Sequence, residues 1–242
     1  MEVAMSGDSP LFSYPPFIPG KMFYDLLKRI IDFVGSFFAL ILFSPIYLLT
    51  ALAIKMDSPG PVFYIHERVT KHGKAFRIVK FRTMYKEFCT GSRYQGMSDE
   101  EYIRTVLKDP KRLEEFKKFY KMKNDPRITK IGSFLRKTSI DELPQFWNVL
   151  IGDMSIVGPR AYRAEELNRQ MGHYPKIKPL VREILTIKPG ITGPWQVGGR
   201  SNISFDKRVR IDANYAKKRS LLYDFWIMLK TPLAVIQQEG AA

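Results

Sequence analysis

An apolar run from Ile30 to Ile54, broken near its middle by Ser44-Pro45, constrains this chain more than any other feature; Lys28-Arg29 precede it and Lys55 follows it. A straight α-helix needs roughly 20 apolar residues to cross the hydrocarbon layer, so the run suffices only if it stays straight. Proline removes a backbone donor and clashes one turn back, while Ser44 can bond a freed carbonyl, which predicts a bent helix. Lys and Arg collect on cytoplasmic flanks, and here they stand at both ends. The expectation is a re-entrant membrane helix over residues 21–56 that dips into one leaflet and returns to the cytoplasmic face. The run begins too late for a cleavable signal peptide and is expected to be retained.

The remainder is long enough to bury one real core, expected as a single domain over residues 57–242. A formal charge of +15, from 39 Lys plus Arg against 24 Asp plus Glu, favours an anionic surface without choosing among lipid, nucleic acid and phosphorylated substrate. The single cysteine, Cys89, excludes an intramolecular disulfide framework and a cysteine-rich zinc site. His66, His72 and His173 are scattered without ligand spacing.

Residues 1–20 carry Pro10, Pro15, Pro16, Pro19 and Gly20 and read as an extended arm. Asp57-Ser58-Pro59-Gly60-Pro61 is a stiff turn, and Val62 to Ile65 and Phe76 to Phe81 predict a β-hairpin around Lys71-His72-Gly73-Lys74. Asp99 to Lys123, interrupted at Pro110, predicts two charged helices with solvated faces. Tyr215 to Gln237 combines Lys217-Lys218-Arg219 with Leu221, Phe225, Trp226 and Leu229, an amphipathic pattern that suits either the lipid interface or a core.

The densest chemistry lies in Arg136-Lys137-Thr138-Ser139-Ile140-Asp141-Glu142-Leu143-Pro144-Gln145. Neighbouring residues on a helix point about 100° apart, so Asp141 and Glu142 can flank one reacting point but cannot share one role. Ser139 with Glu142 three positions later is also the signature of a capping box, a purely structural reading. Pro144 strains a helix begun at Ser139, which leaves a kinked or later start open. Gly158-Pro159-Arg160 ends a turn in a guanidinium whose fork matches phosphate oxygens. Lys188 to Arg200 joins glycine-rich turns with Trp195 and two cations, a composition suited to a nucleotide diphosphate, though it lacks the Walker and dinucleotide patterns. Lys80-Phe81-Arg82-Thr83-Met84 adds two cations at the end of a predicted strand.

At these residues the sequence resembles the bacterial sugar transferases known as monotopic phosphoglycosyl transferases. The resemblance runs from about Lys28 to the C-terminus and rests on Ser44-Pro45, Asp57 to Pro61, Lys80 to Met84, Thr138 to Gln145, Gly152 to Arg160 and Lys188 to Arg200. It implies an α/β fold in which the re-entrant helix precedes a compact, mainly helical catalytic domain with a small β-hairpin and interfacial helices. It implies magnesium-dependent transfer of a sugar phosphate from a UDP-sugar to polyprenyl phosphate, at the cytoplasmic face of the bacterial inner membrane, with a homodimer left open and no nucleic-acid partner. Carried over by motif, Asp141 is the nucleophile and Glu142 the Mg²⁺ ligand; Lys80, Arg82, Arg136, Gln145, Pro159, Arg160 and Arg200 are the substrate-binding candidates. The chain departs from the family pattern at Ala161, where members usually carry a proline after Pro159-Arg160. The charged insertion between Met84 and Arg127 resembles the catalytic half of larger members that transfer hexose phosphates, without their additional N-terminal membrane domain. The expected kinetics are ping-pong, through an aspartyl ester of the sugar phosphate. Two other classes remain open: a membrane-anchored basic module for nucleic acid or anionic lipid, and an inert scaffold subunit.

Overall fold

The computed structural model describes residues 19–91, 94–119, 122, 124–198 and 203–236. Two N-terminal helices, α1 (Pro19–Leu42) and α2 (Ser44–Asp57), meet at Phe43 with a bend of 58°. No single helix among the described residues is long and apolar enough to cross a membrane, whereas this bent pair meets both criteria when taken together. The break lies where the sequence predicted it: Pro45 sits in the first turn of α2, where its missing N–H costs nothing, and the Ser44 hydroxyl donates to the Ile41 carbonyl at 2.8 Å. Two expectations are corrected. Pro19 and Gly20 belong to α1 rather than to an extended arm, because proline at a helix start is preorganised; residues 1–18 lie outside the described residues. The apolar run also contains a buried acid, Asp32, which accepts from Ser155 Oγ at 2.7 Å and from the Ile156 N–H at 3.0 Å.

Asp32 belongs to a polar stripe that fastens α1 to the rest of the chain. Lys28 bridges Asp32 at 3.1 Å and Asp224 at 3.2 Å, and Tyr24 and Tyr215 both donate to Asp224. Arg29 donates to the Val149 and Leu150 carbonyls at 2.7 and 2.8 Å, satisfying acceptors that the end of another helix leaves orphaned. Lys28 is thus paired with two carboxylates, and the Arg29 guanidinium is hydrogen-bonded to carbonyls, as burial demands. The other faces of α1 and α2 present exposed Phe33, Phe37, Phe38, Ile41, Leu48 and Leu49. An apolar surface of that extent marks an interaction site rather than ordinary protein exterior.

The predicted hairpin is present and longer than expected: β1 (Phe63–Val69) pairs antiparallel with β2 (Ala75–Phe81), from Phe63 opposite Phe81 to Val69 opposite Ala75. A short pair, β3 (Thr90–Gly91) with β4 (Tyr94–Gln95), follows. The charged insertion forms two helices as predicted, α3 (Asp99–Tyr102), continued by a π turn over Ile103–Leu107, and α4 (Pro110–Phe119), separated at Lys108 in a left-handed conformation. Its faces are not merely solvated, since Tyr102, Ile103 and Phe116 are buried. Next come α5 (Lys130–Thr138), α6 (Gln145–Ile151), β5 (Ser155–Val157), α7 (Ala164–His173), α8 (Lys178–Ile184), β6 (Gly190–Thr192) and α9 (Pro194–Val197). β5 and β6 run parallel, and a Cβ on Gly190 would meet the Gly158 nitrogen at 2.1 Å, so this close approach requires glycine. The final amphipathic stretch is two helices rather than one, α10 (Phe205–Lys218) and α11 (Leu221–Ile236), which part at Arg219-Ser220.

The fold is thus mixed α/β, mostly helical, with small sheets. Phe76 and Ile78 of β2 pack on Val149 and Met154, while Phe81 packs on Ile54 of α2 and Leu135 of α5. A separate cluster joins α7, α8 and α10 through Leu167, Val181, Ile184 and Val209. Burying one such side chain contributes about 1.5–3 kcal/mol. The turn that carries Asp141 packs beside β2, with Ile140 against the Phe81 group.

Candidate active site

Local capping explains how Asp141 is presented. The Thr129 hydroxyl caps α5 by accepting from the Gly132 N–H at 2.9 Å, and α5 ends at Ser139, whose φ of 58° is left-handed. Ile140–Glu142 then forms one 3₁₀ turn, Pro144 precedes α6, and Gln145 is its first residue. The capping-box reading fails here, because Ser139 terminates a helix and makes no side-chain cap bond. Pro144 stands just before α6 and meets no helical carbonyl one turn back. Asp141 and Glu142 therefore project from a tight turn fixed by a helix at each end. The turn is also fastened to the bent pair: the Tyr47 hydroxyl of α2 donates to the Leu143 carbonyl at 2.7 Å, and the Phe43 and Phe146 rings lie 6.1 Å apart.

Asp141 is 9% exposed, and Lys80 Nζ reaches its Oδ2 at 3.8 Å and Glu142 Oε1 at 2.6 Å. Burial pushes the Asp141 carboxyl up to about 6; the Lys80 charge opposes that rise, Glu142 adds to it, and Arg136 opposes it. Arg136 is held by its Nε donating to Thr83 Oγ1 at 2.9 Å. Lys80, Arg136, Asp141, Glu142 and Gln145 all line one cavity of about 710 Å³. Phe43, at the helix break, lines it too, as do Phe146 and the α11 residues Met228, Pro232 and Val235. The cavity thus has both charged and apolar lining residues.

Its wall carries a second group of cations, Arg68, Arg160 and Arg163. Desolvation and the neighbouring Arg163 and Arg160 guanidiniums push Arg68 down to about 9, the sign of positive charge without sufficient counter-charge. Arg160 and Arg208 lie over the Trp195 ring at 5.3 and 4.7 Å. Asp212 fixes the loop: its Oδ2 accepts from the Arg160 N–H at 3.1 Å and the Tyr162 hydroxyl at 2.8 Å. These bonds tie Arg160 and Tyr162, on either side of Ala161, to α10.

Of the sequence-predicted residues, Lys80, Arg136, Asp141, Glu142, Gln145 and Arg160 converge on the cavity. Arg82 does not. It is 2% exposed and spent on the Ser58–Pro61 turn, with Nε on the Pro61 carbonyl at 2.6 Å and its terminal nitrogens on Ser58 Oγ at 2.8 Å and O at 2.9 Å. Pro159 is buried outside the lining, its carbonyl accepting the Gly190 N–H at 2.8 Å, so it shapes the loop that carries Arg160. Arg200 lies outside the described residues. Sequence reasoning missed Arg68, Arg163 and Asp212; an arginine on a strand and an acid within a charged helix give no signal until tertiary contacts gather them.

Among the described residues no group of three His, Cys, Asp or Glu side chains converges as a metal cage. Mg²⁺ usually takes one or two carboxylates together with substrate phosphates and water. The half-buried Glu142 carboxylate, beside Asp141 on the cavity wall, fits such sharing and does not fit an all-protein site.

The sequence matches the family described as bacterial sugar transferase over residues 23–238. An undecaprenyl-phosphate galactose phosphotransferase of Salmonella typhimurium is 42% identical over 89% of this chain and 41% of its own length. An uncharacterized sugar transferase of Haemophilus influenzae is 42% identical over 91% of this chain and 43% of its own length, so the chain spans less than half of these relatives. The exopolysaccharide production protein ExoY of Rhizobium meliloti is 38% identical over 89% of this chain and 88% of its own length. With the motif residues gathered on one cavity and the match extending over most of the sequence, the chain belongs to the bacterial sugar transferase family.

Proposed function

We propose that this protein transfers a sugar-1-phosphate from a UDP-sugar to polyprenyl phosphate, at the cytoplasmic face of the bacterial inner membrane, as the first step of a lipid-linked glycan. One observation carries the reading: a buried carboxylate, Asp141, stands with Lys80 and Arg136 in a cavity that is also lined by apolar residues, Phe43 at the break of the bent helix pair among them. A nucleotide diphosphate needs the first feature and a prenyl-linked phosphate the second. The names of the relatives, an undecaprenyl-phosphate galactose phosphotransferase among them, support the same pair of substrates.

In the first half-reaction an Asp141 oxygen attacks the β-phosphorus in line. The bridging P–O bond breaks, UMP leaves, and the sugar phosphate stays on Asp141 as a mixed anhydride. The acceptor's phosphate oxygen then attacks that phosphorus, which restores the carboxylate and yields a sugar diphospholipid. Electrons and protons balance in both halves. Lys80 holds Glu142 and faces Asp141, while Arg136, Arg160, Arg163 and Arg68 offset the charge of the diphosphate. Mg²⁺, carried by Glu142 with the diphosphate, would add charge screening. The cations converge inside a cavity rather than spreading over a face, which supports a small phosphate substrate over a nucleic-acid backbone. UMP release measured against a panel of UDP-sugars tests the proposal: one or a few sugars should release UMP with added Mg²⁺, and Glu142→Gln should lose activity or its magnesium response. Silence with every UDP-sugar would reject the reading.

A further inference from the structure

A second cavity, about 470 Å³, lies between α1 and α11 and is lined by Lys28, Ile31, Leu221, Leu222, Asp224, Phe225 and Met228. Its two charged members are bonded to each other, Lys28 Nζ to Asp224 Oδ2 at 3.2 Å, and Lys28 is further spent on Asp32. No cation is left there for a phosphate, so the cavity suits a hydrocarbon. Leu222 and Phe225 are 84% and 57% exposed, so the site is a groove open to the exterior rather than a sealed core defect. Met228 is the decisive residue, because it lines both this groove and the catalytic cavity. Along α11 the residues Met228, Thr231, Pro232 and Val235, spaced to share one helical face, carry the apolar wall onward into the catalytic cavity.

Resting on the function proposed above, we infer that the α1–α11 groove is the binding site for the prenyl chain of the lipid acceptor, which passes Met228 and delivers its phosphate to Asp141. A bilayer phospholipid would find the same apolar groove. Only an acceptor must extend from the groove into the catalytic cavity, and Met228, which lines both, sets the two side by side. Chain binding here recruits remote binding energy to position a reacting phosphate.

Filling the groove from the α1 side with Ile31→Trp, in the full chain in lipid vesicles, tests this. Release of UMP in a single turnover without acceptor should stay within twofold of wild type, since that step needs no lipid. Transfer to undecaprenyl phosphate should fall at least tenfold in kcat/KM, whereas transfer to a two-isoprene phosphate, too short to fill the groove, should change less than threefold. Equal loss with both acceptors, or loss with neither, overturns the inference while leaving the proposed reaction intact. A photoreactive polyprenyl phosphate supplies an independent reading on the wild-type chain, even if the substitution disturbs folding. Labelling of residues 21–42 and 221–236 that undecaprenyl phosphate suppresses and excess phospholipid does not is the expected result. Labelling elsewhere, or competition by phospholipid, contradicts it. Absence of UMP release from the wild-type chain defeats the reaction itself, and the labelling still decides the groove.

Discussion

Asp141 is a costly carboxylate, and that cost is its usefulness. Its folded-state value of about 6 exceeds the ordinary 3.8 because burial outweighs Lys80 and Arg136. The folded chain therefore holds this proton more tightly than the unfolded chain does; the group's contribution to stability is greatest in acid and is lost as pH rises from about 4 to about 6. Asp141→Asn removes the ionising group and should raise the melting temperature at pH 7 by a few degrees, equivalent to about 1–3 kcal/mol, while abolishing transfer. In the wild type the nucleophile must be ionised, so kcat/KM for UMP release, which reports the free enzyme, should fall about tenfold per pH unit below about pH 6 and level off above it. A flat profile from pH 5 to 8 would remove Asp141 from that role. Arg82 and Arg160 separate structure from binding. Arg82→Ala strips hydrogen bonds from the buried Ser58–Pro61 turn and should cost about 2–4 kcal/mol of stability in thermal or denaturant unfolding. Arg160→Ala should leave melting nearly unchanged and raise KM for the UDP-sugar at least tenfold. Both arginines follow short motifs, so sequence proximity to a motif identified them equally well. Direction of the side chain, which a sequence does not carry, tells them apart.

The bent pair and the catalytic turn are the two elements on which placement depends. Proline and serine chemistry made the helix break legible at Ser44-Pro45, and two β-branched and aromatic runs on either side of Lys71-His72-Gly73-Lys74 made the hairpin legible. The reading failed where capping competed with turn chemistry: Ser139 satisfies the spelling of an N-cap yet takes a left-handed φ at a helix end. The stretch Tyr215 to Gln237 likewise ran the last turn of α10 into α11, because Lys217-Lys218-Arg219 continues an amphipathic pattern across the break at Arg219-Ser220. If α1 and α2 enter and leave the same leaflet, cysteines placed at Lys21 and Met56 should both react with a membrane-impermeant thiol reagent in inside-out vesicles and neither in right-side-out vesicles. Labelling of the two positions from opposite sides would mean a span. The native Cys89 is buried and its thiol is pushed up to about 11, so it should add little background.

Taken as a whole, the molecule joins an apolar exterior on α1, α2 and α11 to a cationic cavity through the residues that line both. The ion pairs of Lys28 with Asp32 and Asp224, and the hydrogen bonds of Tyr24 to Asp224 and of Ser155 to Asp32, make α1 part of the catalytic unit rather than a detachable anchor. Composition had announced the excess of positive charge, +15 over the chain, but not that Arg68 from one segment and Arg160 and Arg163 from another line one cavity with the carboxylate-bearing turn. Such convergence arises from long-range packing and leaves no local trace in the sequence. The most direct test of the account is intact-mass measurement of the purified protein after incubation with its UDP-sugar and Mg²⁺ in the absence of acceptor. The account predicts a mass increase of one sugar phosphate, mapped to Asp141, absent from Asp141→Asn and discharged by polyprenyl phosphate. UMP release and complete transfer with no such adduct, or an adduct that persists in Asp141→Asn, would contradict it.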